Sequence, residues 1–513
     1  MSMSPLRQPI HILRKDAIHL WPEILVSVAL LAAYAWSEAQ TWLPSDGTFN
    51  PVLIAVGFLK FLIPIAWLVL ISRLVHDEEL VGDRQFWVTR PYTWYSLILS
   101  KILFIILFIC VPFLIMQMIL LHHAGLYPTR LIPGMLKNMV YVSAIFLLPL
   151  FAIAAVTSTF VRYISSALGG LIYFFIIFAL AAYFWPDNLT APHLAYALNI
   201  TILAMLIAAL LLQYWRRKTL IARILIGAVP LVVLLFAALA PLNLLSSHRY
   251  PNTSAGALTF NKAPEFQQLA GRLLIIRHKV ILGIPVQAQL TGLPSHAAVE
   301  IQRFRAILDG PAGFHYTSDW NVDRAFISPL QPSTVTPLSL PESVFNRIHN
   351  QPVALHLQLG TQIHSSGTPY SVTATDARFP LPGHAGCTLS PDDGSLNCRF
   401  AFADAQPQQV EATVTNGNCL TPGPQTARAI GLLTPPPSLV SFSPVDMVNT
   451  SLKVGGAAVP LCPGTRITVT PSVDGAYGRL TLDIPSITLD PYAIRIQDER
   501  QPQPQPNPPT SNQ

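Results

Sequence analysis

The stretch Val52-Leu-Ile-Ala-Val-Gly-Phe-Leu-Lys-Phe-Leu-Ile-Pro-Ile-Ala-Trp-Leu-Val-Leu-Ile-Ser-Arg-Leu-Val75 runs, through His76, into Asp77-Glu-Glu-Leu-Val-Gly-Asp-Arg-Gln-Phe-Trp-Val-Thr-Arg-Pro91. The first part is apolar apart from Lys60, Ser72 and Arg73. It exceeds the roughly 20 residues that carry a helix across ~30 Å of hydrocarbon at 1.5 Å per residue. The second part has three acids in a row, two arginines and the aromatic pair Phe86 and Trp87. An apolar run that feeds a charged segment reads as a membrane helix opening into a water-facing loop.

The same reading extends to both sides. Spans are expected near 20–35, 52–75, 97–121, 137–160, 165–184, 194–214 and 222–244, seven in all. The first is the shortest, and without a small-residue cleavage site after it, it reads as a retained helix. Pro64, Pro112 and Pro149 fall inside spans and are expected to bend them. Before the first span, Ile10, Leu13, Ala17 and Leu20 recur at helical spacing around Arg14, Lys15 and Asp16. Either an interfacial helix or an extension of the first span fits that pattern.

Charge assigns orientation. The net charge of +6 lies entirely in residues 1–245, which hold 15 basic and 9 acidic residues, while residues 246–513 hold 17 of each. Alternate loops take the basic residues: Arg7, Arg14 and Lys15; Arg73, Arg84, Arg90 and Lys101; Arg162; Arg216, Arg217, Lys218 and Arg223. The intervening loops hold Arg130 and Lys137. The positive-inside rule then makes the N-terminus cytoplasmic and, after seven crossings, puts the C-terminal half outside. The basic excess encodes topology and implies no nucleic-acid partner.

Beyond residue 245 the period changes to two. Val353, Leu355, Leu357 and Leu359 share one face of a strand pattern, and 286–290, 410–414 and 480–484 repeat it among frequent Pro, Gly, Ser and Thr. The fold expected is therefore a polytopic α-helical membrane domain (1–245), an all-β, sandwich-like extracytoplasmic domain (246–498) and a disordered Pro/Gln tail (499–513). Cys387, Cys398, Cys419 and Cys462 all lie in the half placed outside, where two disulfides are expected over the rival zinc site, for which no Cys-x-x-Cys or matched His pair exists. Three pairings are possible, and the Asp393-Gly394 turn favours Cys387–Cys398, leaving Cys419–Cys462. Cys110 stands alone in the third span.

In its first half the chain resembles the type-2 exporter permeases of ATP-binding-cassette (ABC) transporters. The residues that carry the likeness are Glu79, Gly82, Trp87, Thr89-Arg90-Pro91 and Lys101, with an Arg14-Lys15-Asp16 lead-in to the first span, over roughly residues 8–215. The resemblance implies a six-helix core whose first cytoplasmic loop docks on a separate ATPase subunit, in a dimer with a second copy or a sister permease. ATP would bind on the partner, and this chain would bind no cofactor or metal. Asp77, Glu78 and Glu79 suit a helix N-terminus, Arg84 and Arg90 suit carboxylates on a partner, and Phe86 and Trp87 suit an interface. The seventh span departs from the family pattern and carries the β-rich region outside.

Lys60 near the middle of the second span lines a substrate path or meets an anionic headgroup, or else snorkels beside Phe58 and Phe61. No P-loop, His-Glu-x-x-His or Gly-x-Ser-x-Gly occurs, so the chain reads as a transporter subunit without catalytic residues. The histidines beyond 245 show no ligand spacing, and His356 reads as a solvated strand residue. The localisation expected is a bacterial inner membrane. The rival reading is a membrane-anchored extracytoplasmic binding or sensor protein.

Overall fold

A computed structural model describes residues 7–42, 51–77, 93–184, 192–239, 250, 257–259, 272–276, 278–289, 298–327, 333–366, 368–374, 378–379, 384–390, 395–401, 408–414, 427–433, 442–451, 453–454, 457–458 and 465–496. It divides into two compact units: residues 1–240 with 370–469, and residues 241–369 with 470–513. The 499–513 tail lies outside the described residues.

The first unit holds the apolar helices α1 (Arg7–His19), α2 (Trp21–Gln40), α3 (Pro51–His76), α4 (Trp94–His123), α5 (Ile132–Val156), α6 (Phe160–Phe184), α7 (Ala197–Arg216) and α8 (Thr219–Leu239). Six of them, α3 to α8, are long and apolar enough to cross a bilayer, and α1 with α2, bent by 75°, makes a seventh span if counted as one. The chain is a multi-pass membrane protein. Pro22 sits in the first turn of α2, where its missing N–H and its ring oppose continuation from α1. The sharp bend sets α1 apart from α2 as a separate segment. Its buried face is Pro9, Ile12 and Asp16, while Ile10 and Ile18 stay exposed.

The prolines leave distinct marks. Just before Pro112 and Pro149 the helix widens into π turns, Ile106–Cys110 and Ser143–Leu147. A proline offers no N–H and crowds the carbonyl four residues back, so the preceding turn relaxes to a wider bonding step. The two widened turns meet: Cys110 Sγ lies 3.7 Å from Ser143 Oγ. Cys110 is a buried free thiol.

Strands of the region 370–469 also belong to this unit. Strands Arg378–Phe379, His384–Ser390, Ser395–Ala401 and Val445–Ser451 form an antiparallel sheet in that order. Ala401 and Val445 are register partners, and both join the core that the helices fill. Arg399 on the same strand donates to the Trp42 carbonyl at 2.6 Å, just beyond α2.

The second unit is built on two antiparallel sheets whose inward side chains fill one core. One sheet centres on Lys279–Gln289 paired with Ser333–Pro341, the other on Ala298–Asp309, Val353–Ser366 and Thr465–Ile487. Val353, Leu355, Leu357 and Leu359 are all buried, as their alternation predicts, and Leu480, Leu482 and Ile484 meet them across the register. The short helix Glu342–Ile348 adds Phe345 and Ile348. Gly360 is required by close approach: a Cβ there would lie 2.7 Å from the Tyr250 ring, which covers the strand at that point.

Candidate functional site

Polar side chains converge where α3 ends and α4 begins. This is notable because most of the helix surface around them is apolar. Lys101, two turns into α4, is fully buried, and its Nζ donates to Asp16 Oδ2 of α1 at 2.8 Å. One turn earlier, Ser96 donates to Gln8 Oε1 at 2.9 Å and shares a hydrogen bond with Thr93 at 2.7 Å. Helix α1 therefore clasps the first turns of α4 through one ion pair and one neutral bond. An ion pair this deep gains strength from the low dielectric, but each charge depends on the other, since a lone buried ion is costly.

The end of α3 is held by the same neighbours. His19 Nε2, the last residue of α1, lies 3.2 Å from Asp77 Oδ2. Arg73 Nη1 donates to Glu23 Oε1 in the first turn of α2. An acid at a helix N-terminus facing a base at a helix C-terminus suits both dipoles. His76 bonds Ser72 Oγ at 3.0 Å and Thr157 Oγ1 at 3.2 Å, in the turn between α5 and α6. Arg223 of α8 donates to the Val156 carbonyl at 2.8 and 3.1 Å. Trp94 and Trp215 stack at 6.3 Å, with Arg216 over the Trp215 ring.

Asp77 and Thr93, the residues on either side of the segment 78–92, both lie at this cluster. Of the coupling residues expected there, Asp77 is described and pairs with His19, while Glu78, Glu79, Gly82, Arg84, Trp87, Arg90 and Pro91 lie outside the described residues. Lys101 and Asp16, read from the sequence as separate marks, are in fact partners. That pairing was open to a sequence reading, since the loop pattern places both on one membrane side.

At the other end of α2 and α3, Lys60 Nζ lies 3.6 Å from Glu38 Oε2 and 5.7 Å from the Tyr34 ring centroid. Glu38 is buried and Lys60 is half-exposed. The carboxylate, not considered in the sequence reading, neutralises the intramembrane charge. Cys387 and Cys398 are direct register partners on antiparallel strands. Cys419 and Cys462 lie outside the described residues.

In the second unit His356 is not merely solvated. Its Nδ1 lies 2.6 Å from Asp483 Oδ1 and its Nε2 3.7 Å from Asp309 Oδ2. The other Asp309 oxygen meets His315 Nδ1 at 2.6 Å, and His315 Nε2 meets Thr317 Oγ1 at 3.2 Å. These partners come from four strands, so no local spacing announces them. Nearby, burial and the Asp319 charge push the Tyr316 hydroxyl above its ordinary range. Among the described residues no group of three or more His, Cys, Asp or Glu is placed to hold a metal ion.

No protein-family model matches the chain, and no curated protein matches it. Among solved structures the chain is similar to a red sea bream transglutaminase at 8% identity, over 45% of this chain and 31% of that one, with a TM-score of 0.13. So slight a likeness bears on neither fold nor activity.

Proposed function

We propose that this chain is the membrane-spanning subunit of an ATP-driven exporter, energised by separate ABC-type ATPase subunits that dock on residues 77–91. The observation that carries the reading is the grip of α1 on both flanks of that segment, through His19–Asp77 on one side and Asp16–Lys101 on the other. A load applied between residues 77 and 93 reaches α4 and α1 together through the buried Asp16–Lys101 pair, which resists separation, and meets α3 at the exposed His19–Asp77 contact. In this reading the N-terminus is cytoplasmic, the region beyond residue 245 is extracytoplasmic, and the subunit pairs with a second copy or a sister permease in an inner membrane. It has no ATPase site of its own, and ATP is bound by the partner.

An oxidising compartment would join Cys387 to Cys398, which the strand register sets opposite one another, and leave Cys419 for Cys462. The deciding experiment is co-purification from the native membrane. An ATPase subunit should accompany the wild-type chain and be lost from Glu79→Lys and Gly82→Pro. Association unchanged in both variants would refute the docking role. Labelling of Phe86→Cys by an impermeant thiol reagent in intact cells would refute the topology.

A further inference from the structure

Phe442 lies more than 200 residues beyond the last membrane helix, yet its ring sits among them. Its centroid is 5.8 Å from Trp67 of α3, 6.0 Å from Phe113 of α4 and 6.2 Å from Phe146 of α5. Trp67 and Phe113 also meet edge-on at 5.8 Å, and both are fully buried. The depth is considerable. At 1.5 Å per residue Trp67 is about 24 Å along α3 from Pro51, Phe146 about 21 Å along α5 from Ile132, and Phe113 about 15 Å along α4 from His123. All three distances run from the end of the bundle where Trp42 is held by Arg399.

The inserted segment is self-contained. Ser443 Oγ donates to the Val445 carbonyl at 2.9 Å and accepts from the Val445 N–H at 3.3 Å. It brings this polar satisfaction with it and offers the Phe442 ring and the Val445 side chain to the helix core. One turn beyond Phe113 on the same face of α4, Gln117 is fully buried, and neither atom of its amide has a partner among the described residues. Such an amide is costly to bury unpaired. An aromatic box with a buried amide beside it has the chemistry to take an apolar group linked to a neutral polar head.

We propose that Trp67, Phe113 and Phe146 form a binding site for the apolar group of an amphiphile, and that Phe442 is a built-in occupant which the ligand displaces. A role for this site in transport rests on the export reading above, whereas its capacity to bind does not. Ligand binding requires the Phe442 ring to leave the cluster, which couples occupancy to Val445, three residues on, and to the sheet strand it begins.

The test uses the full chain in phosphatidylcholine nanodiscs and a dodecyl amphiphile bearing a phenyl-diazirine and an amide head, with labelled peptides mapped by mass spectrometry after illumination. Phe442→Ala should raise labelling of the Trp67, Phe113 and Phe146 peptides roughly fivefold or more, since removing a competing occupant raises the fraction of open sites. Labelling at Phe175 and Ile176, exposed on α6, should stay constant. Adding Gln117→Leu to Phe442→Ala should reduce the gain. Phe442→Leu, which keeps most of the apolar volume, should give an intermediate gain and decides the matter if the alanine variant does not fold. Unchanged labelling at the box in a folded variant overturns the proposal, as does an equal rise at α6. Labelling of the box with no ATPase co-purifying upholds the site and removes only its place in export.

Discussion

Lys101 Nζ and Asp16 Oδ2 are 2.8 Å apart, with the lysine side chain wholly enclosed between a membrane helix and the bent N-terminal helix. Removing one member takes away the ion pair that offsets the other's burial, at a cost of about 3–5 kcal/mol. Lys101→Ala and Asp16→Ala should each lower the unfolding temperature sharply in nanodiscs. The double replacement Asp16→Leu with Lys101→Met should recover most of the loss, because an apolar pair needs no desolvation. Additive losses in that cycle would show that the two charges do not depend on each other.

Lys60 and Glu38 obey the same logic with unequal exposure. Glu38 is the buried member, so Lys60→Met strands a carboxylate among apolar neighbours. The expected result is destabilisation by Lys60→Met that Glu38→Gln relieves in the double variant. A Lys60→Met chain as stable as wild type would show that Glu38 finds another partner.

Gly360 has room for a hydrogen and no more beneath Tyr250. Gly360→Ala should destabilise the second unit by about 1–3 kcal/mol through overpacking. Tyr250 lies 6.1 Å from Trp320, whose emission should report the loosened ring in a chemical denaturation series. Trimming the ring in Tyr250→Leu should restore part of the loss.

For Cys387 and Cys398 the expected outcome is a cross-linked peptide in non-reducing digests, with Cys110 alkylated only after unfolding. Closing so short a loop is worth about 3 kcal/mol in the chain-entropy account. Reductant, or Cys387→Ser, should therefore lower the midpoint of unfolding. Free alkylation of Cys387 in the folded, oxidised chain would reject the pairing.

The helices were legible because lipid demands long apolar runs, and each run from 52–75 to 222–244 announces itself without reference to any other residue. The strand face Val353, Leu355, Leu357 and Leu359 was legible for a similar reason, since alternation is a local property of a half-buried strand. The 75° bend left a signal in Pro22 that the reading of α1 passed over. His356 is solvent-exposed on its strand as read, but its partners were not legible, because Asp483 and Asp309 approach it from other strands.

Apolar length and alternation are one-dimensional, and they determined the apolar helices and the β-rich remainder. Which charge neutralises Lys60, which acid faces Lys101 and which ring fills the space beside Trp67 were decided only by tertiary structure. Each of those answers joins residues from 22 positions to several hundred apart, and burial in a low-dielectric interior makes the partner matter more than the residue itself.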